Sequence, residues 1–285
     1  MFLVLISGLA LGCLYATVAL SYNVMYSTSK VLSMGAGQFA MVGGIVGAWT
    51  LGDLGWPIWA SLPLVIVVGL IFGWLTELVA IRRTMNGGDD HLWILSTLAV
   101  ATIVQQGMAL WWGTEPRPFP RLIPQDYAGV LDQKYWLPIV TAFLMAGGLA
   151  LFYRKMAIGK IFVALADDTF AVSARGISAI RMRSLSYAIA GALGALAGFM
   201  TGQLTYAYFA LGLTLTLNGF IALAIGGIGS NIGALAGGII FGVVTTCVAY
   251  VFGSEFQQTI AVGTLVILLT FIPSGLFGKK RVRQV

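Results

Sequence analysis

Few side chains in this sequence can do chemistry, and their spacing excludes most reactions. His91 is the single histidine, and the two cysteines, Cys13 and Cys247, lie far apart inside apolar runs. No H-E-x-x-H motif and no cysteine pair with metal-ligand or redox spacing can be assembled from them, so packing is the expected role of each thiol. His91 follows Asp89 and Asp90, which reads as a helix start at a membrane interface. A phosphate-cradling G-x-x-x-x-G-K-[ST] is absent, and GGIGSNIG at 226–233 misses G-x-G-x-x-G by one residue. No catalytic residue and no metal site follow from these residues.

The remaining polar residues are mostly uncharged. Thr97, Ala101 and Gln105 recur every four residues and share one helical face, with Ser96 beside them. Such a row suits either a path for a zwitterionic or small polar solute or hydrogen bonds between helices. Gln38 and Gln203 are further candidates for the path. The turn at Gly226, Gly227 and Gly229 is expected to unwind and aim backbone carbonyls at a cavity, as broken helices do in transporters. Glu77, the one acid inside a spanning run, precedes Arg82 by five residues, and an ion pair at the membrane interface is its expected role. Ion-coupled transporters keep ionisable groups at bilayer depth. A chain without them either lets solute run downhill or draws energy from another protein.

The stretch ALADDTFAVSARGIS, residues 164–178, is the least membrane-like part of the chain. Asp167 and Asp168 can cap a short helix, Arg175 complements its other end, and Gly176 can take the left-handed cap. Phe170, Ala171 and Ala174 fall on one face by helical spacing, with Val172 as the other large apolar residue. A helix this short, with one apolar face, either lies on lipid or docks into a groove of a partner.

These groups sit in a chain of 285 residues that is 59% hydrophobic and 9% charged. Soluble domains carry about 25% charged residues, so the fold class is an all-α polytopic membrane bundle, one domain over 1–285. A span needs ~20 apolar residues. Runs near 2–22, 57–80, 92–112, 136–153, 184–204, 232–252 and 256–273 qualify, and the glycine-rich runs 35–50 and 214–228 read as broken half-helices. The expected count is eight or nine segments, the first retained rather than cleaved as a signal peptide. If one side of the bilayer holds Lys30, Arg82, Arg83, the basic residues of 154–183 and the tail Lys279, Lys280, Arg281 and Arg283, it holds thirteen of the sixteen basic residues. That side is the cytoplasm by the positive-inside rule, which puts the C-terminus inside and makes 114–135 an external loop. The net charge of +6 therefore reports topology and anionic lipid, not nucleic acid. Glycines four apart, at Gly8 and Gly12, Gly69 and Gly73, Gly194 and Gly198, and Gly238 and Gly242, predict close helix crossings, with a hinge role open for some.

Residues 164–178 resemble the cytoplasmic coupling loop of ABC importer permeases, and most closely that of the branched-chain amino acid permease family. Ala164, Ala166, Asp167, Asp168, Ala171, Gly176 and Ile177 fill its A-x-A-E-D, A and G-I positions, with Asp167 in place of the usual glutamate. GLALGCLYATVALSYNVMY, VLSMGAGQFAMVGG, LSTLAVATIVQQ, and IALAIGGIGSNIGALAGGIIFG with IPSGLFG resemble further family blocks in order, from about residue 8 to 278. The chain departs from the family at Ser33–Gly37, Leu78, Asn218 and Ile272, which leaves the substrate open. The resemblance implies the permease subunit of an ATP-driven importer in a bacterial inner membrane. It implies two cytoplasmic ATPase subunits carrying the ATP and Mg2+, a periplasmic substrate-binding protein, a second permease, favoured here as a paralogue, and no cofactor on this chain. The coupling role falls to Asp167, Asp168, Phe170, Ala171, Ala174 and Gly176. A stand-alone channel or a secondary transporter for a small solute such as urea or a carboxylate is the alternative.

Overall fold

The computed structural model describes residues 2–84, 92–122, 132–271 and 275–278. The cap expected at Asp89, Asp90 and His91, the basic tail from Lys279, and Ile272 of the last sequence block lie outside the described residues.

Twelve α-helices follow one another in the described residues. They are α1 (Phe2–Ser29), α2 (Ala36–Ala48), α3 (Ile58–Thr76), α4 (Arg82–Thr84), α5 (Leu92–Trp112), α6 (Gln133–Lys155), α7 (Ala157–Asp167), α8 (Thr169–Ala174), α9 (Ala179–Thr205), α10 (Leu211–Gly226), α11 (Asn231–Phe252) and α12 (Gln257–Phe271). The only β-pairing among the described residues is an isolated bridge between Arg117 and Ala207. Among the described residues, six helical stretches are long and apolar enough to cross a membrane: Phe2–Ser29, Ile58–Thr84, Leu92–Trp112, Gln133–Lys155, Ala179–Thr205 and Asn231–Phe252. The 13, 16 and 15 residues of α2, α10 and α12 fall short of the ~20 a span requires.

The core forms where α1, α2, α9, α10 and α11 cross, and small residues decide how closely. A Cβ added to Gly12 of α1 would lie 2.7 Å from the Gly238 carbonyl of α11, and one on Gly73 of α3 would overlap the Tyr187 carbonyl of α9. Backbone touches backbone at both crossings, which supplies dispersion contact where lipid gives helices no hydrophobic reason to associate. The face of α5 stays apolar and outward, with Leu95, Ile103 and Leu110 all exposed. α1 runs seven residues beyond its apolar stretch because its polar end is buried: Asn23, Thr28 and Ser29 are enclosed by the bundle.

The segment read as one short helix over 164–178 is two. Asp168 is extended (φ −149°, ψ 107°) and breaks the chain between α7 and α8. Its carboxylate Oδ1 accepts from the amides of Phe170 at 2.8 Å and Ala171 at 3.0 Å, so the expected cap forms one residue inside the expected boundary. Gly176 takes φ +82°, the left-handed conformation expected of it.

Candidate functional site

Two features are built at the end of the bundle that carries α7 and α8. The first is α8 itself. Val172 is its buried anchor, whereas Phe170, Ala171 and Ala174 are exposed, Phe170 at 83%. A phenylalanine held this far out by a capped turn is a hydrophobic knob left uncovered by the described residues. Asp167 lines a cavity of about 410 Å3 whose far wall is Asn23, Gly229, Ser230 and Phe277. Lys30, with φ +57°, spans its rim and donates from Nζ to the Ala166 carbonyl, tying the end of α1 to α7.

The second feature is the glycine turn after α10. Gly227 (φ +98°) stops the helix, and Gly229 (φ +88°) redirects the chain into α11, which Ser230 caps by accepting from Gly233 N at 3.1 Å. Two of the carbonyls freed at the break are taken by backbone amides of the C-terminal segment. Ile225 O accepts from Leu276 N at 2.9 Å and Gly226 O from Phe277 N at 3.0 Å, so the segment at 275–278 closes the broken end. Asn23 of α1 clamps the opposite side: its Nδ2 donates to Ser230 O at 3.0 Å and its Oδ1 accepts from Gly229 N at 2.9 Å. The turn therefore joins α1, α10, α11 and the C-terminal segment beside Asp167.

The other path candidates are brought to separate places. Thr97 is buried, donates to Ile94 O and accepts from Met34 N at 3.3 Å, an interhelical bond of the kind weighed against a path role. Ser96 donates to Ala80 O, Gln203 Nε2 donates to Pro120 O in the connection after α5, and Gln105 is half-buried on α5. Gln38 is enclosed between α2 and α10, and neither polar atom of its amide has a partner among the described residues. A set absent from these candidates does converge: Tyr15, Thr214, Asn218, Thr245, Ser254 and Gln257 line a cavity of about 200 Å3. They come from α1, α10, α11, the turn Ser254–Phe256 and the start of α12, elements no local pattern pairs.

Glu77 is more than half of an interfacial pair. The turn Glu77–Ile81 is a π-turn, in which Arg82 N donates to Glu77 O five residues back. On an α-helix residues five apart face different ways; the extra residue of the π-turn brings Arg82 round to meet Glu77. Arg82 Nη2 donates to Glu77 Oε2 at 2.9 Å, Arg183 Nε donates to Oε1 at 3.0 Å, and Ser184 Oγ donates to Oε2 at 2.8 Å. The fully buried carboxylate thus locks α3 to α9.

The family profile described as "Branched-chain amino acid transport system / permease component" matches residues 4–272. The chain belongs to this family. Among its relatives, the permease is 28% identical to the high-affinity branched-chain amino acid transport system permease protein BraD of Pseudomonas aeruginosa, over 99% of this chain and 97% of that one. It is 26% identical to LivH of Escherichia coli K12, also a high-affinity branched-chain amino acid transport system permease protein, over 98% and 96% of the two chains. The ribose import permease protein RbsC of Haemophilus influenzae is 25% identical over 88% of the permease and 78% of its own length. PsaBC from Streptococcus pneumoniae, solved in complex with Fab, shares the fold, with a TM-score of 0.53 at 11% identity over 95% and 91% of the two chains.

Proposed function

We propose that the permease carries branched-chain or related small amino acids across a bacterial inner membrane as the membrane subunit of an ATP-driven importer. Solute arrives from a periplasmic binding protein, two ATPase subunits hold the ATP and Mg2+ on the cytoplasmic side, and a second, paralogous permease completes the complex. Full-length similarity to BraD and LivH supports the substrate class. α8 carries the energetic half of the reading: a capped turn outside the bundle presents Phe170 for an apolar pocket of another chain. In this reading 164–178 faces the cytoplasm as the coupling segment, 114–135 is external, and the C-terminus is internal. The glycine-rich α2, with its continuation Trp49–Asp53, together with α10 and α12, completes the eight or nine segments beyond the six long spans.

Alternating access follows from the connections. Closure of the ATPases on α8 would move α7, and α7 shares its cavity wall with the glycine turn and the Lys30 tie to α1. A push at α8 is thereby delivered to α1, α10 and α11.

The test is ATP dependence. In vesicles loaded with ATP, the complete complex should accumulate tritiated leucine against its gradient, and Phe170→Asp should reach the membrane normally yet lose accumulation by roughly tenfold or more, since a buried apolar knob contributes about 1.5–3 kcal/mol. Leucine that equilibrates at the same rate without ATP would refute the importer reading in favour of a channel.

A further inference from the structure

The cavity at Tyr15, Thr214, Asn218, Thr245, Ser254 and Gln257 is unlike the rest of the bundle interior. Ala261 completes the lining; the six other side chains all carry a hydrogen-bonding group, and none of the seven carries a charge. Asn218 is 5% exposed; its side chain hydrogen-bonds the Tyr15 hydroxyl, yet its Oδ1 has no partner among the described residues. A buried amide acceptor left unpaired costs free energy, and native proteins rarely retain one unless something else supplies the donor. Thr245 on the facing helix is satisfied within its own backbone, donating to Phe241 O at 2.9 Å and Gly242 O at 3.1 Å, so it offers oxygen lone pairs but no spare proton to Asn218. Thr214 and Asn218 are four apart and stand on the same face of α10.

We propose that this cavity is a solute subsite for a small molecule of zero net charge that brings its own hydrogen-bond donor, an amino acid zwitterion whose ammonium donates to Asn218 Oδ1. A net anion or cation would meet no counter-charge in this lining and would carry an uncompensated desolvation cost. A zwitterion brings its own balance, and hydroxyls of the lining can serve its carboxylate. The subsite rests on the transport function proposed above. It also differs from the row of Ser96 and Thr97, whose hydroxyls are engaged with backbone.

Asn218→Leu removes the acceptor with a side chain of similar branching, and Asn218→Gln keeps an uncharged amide acceptor in the cavity. Both are assembled into the complete complex in vesicles, and tritiated leucine uptake is measured together with ATP hydrolysis stimulated by the binding protein. The leucine carried per ATP hydrolysed should fall about tenfold in Asn218→Leu, the scale of one unmade hydrogen bond to a buried group, while hydrolysis persists. Asn218→Gln should hold the ratio within about threefold of the unmodified complex, a difference under 1 kcal/mol. A packing residue would not uncouple the two readouts. An unchanged ratio in Asn218→Leu overturns the subsite, and so does a parallel loss of uptake and hydrolysis in both variants. Failure of the unmodified complex to take up leucine at all would instead refute the amino acid transport function, and the subsite with it.

Discussion

Glu77→Leu is expected to destabilise the permease by about 3 kcal/mol, the lower end of the cost of removing one partner from a buried ion pair. The carboxylate is fully buried and receives Arg82, Arg183 and Ser184 together. Its removal takes the carboxylate from Arg183, which is mostly buried, whereas Arg82 is about a third exposed and can turn to water. That partial escape places the estimate at the lower end. Replacing both charges, as in Glu77→Leu with Arg183→Met, should recover most of the loss, because apolar groups of similar volume need no counter-charge. Denaturation of the purified protein in detergent, titrated for the three forms side by side, provides the measurement. A single variant within about 0.5 kcal/mol of the unmodified protein, the range of an ordinary surface substitution, would show that the cluster does not lock α3 to α9.

Gly227→Leu should leave the chain in the membrane in near-normal amount and lower leucine uptake by roughly tenfold or more, because strain of about 1–2 kcal/mol in a left-handed residue already corresponds to that factor. Gly227 has φ +98°, and a Cβ there would lie 2.4 Å from Gly278 N. Gly275 approaches from the other side: its own Cβ would lie 2.5 Å from the Gly227 Cα. A side chain at 227 therefore forces the 275–278 segment away and frees the Ile225 and Gly226 carbonyls that Leu276 and Phe277 now satisfy. The spanning helices do not depend on this contact, so insertion survives while the junction of α1, α10 and α11 does not. Full uptake by a correctly inserted variant would remove the turn from the mechanism.

Local patterns announced the parts of this fold that depend on local physics. Glycines four apart did mark helix crossings, since a close approach needs the absence of a side chain on one face and nothing else. Asp168 and Gly176 announced a capped turn, because capping involves only the neighbouring amides. The division of that segment at Asp168 was harder to see, since the same residue closes α7 and opens α8. Contacts between distant residues left no local trace. Arg183 meets Glu77 across 106 positions, and Asn23 reaches Ser230 across 207. The π-turn at Glu77 has no residue signature, and without it Arg82 would not face the carboxylate. Thr97 lies on a polar face legible at helical spacing, but the bond its hydroxyl accepts from Met34 N joins residues 63 apart and left no such trace.

The central claim is that α8 is where another protein drives this one. The most direct measurement is to tag the chain in its native host, extract it gently, and identify the proteins that accompany it, for the unmodified chain and for Asp167→Arg with Asp168→Arg. The account predicts an ATPase with the unmodified chain and its loss from the variant at equal membrane levels, since the substitution removes the cap that holds Phe170 outward and reverses the local charge. A chain that emerges alone in both cases, or an ATPase that stays bound to the variant, would contradict it.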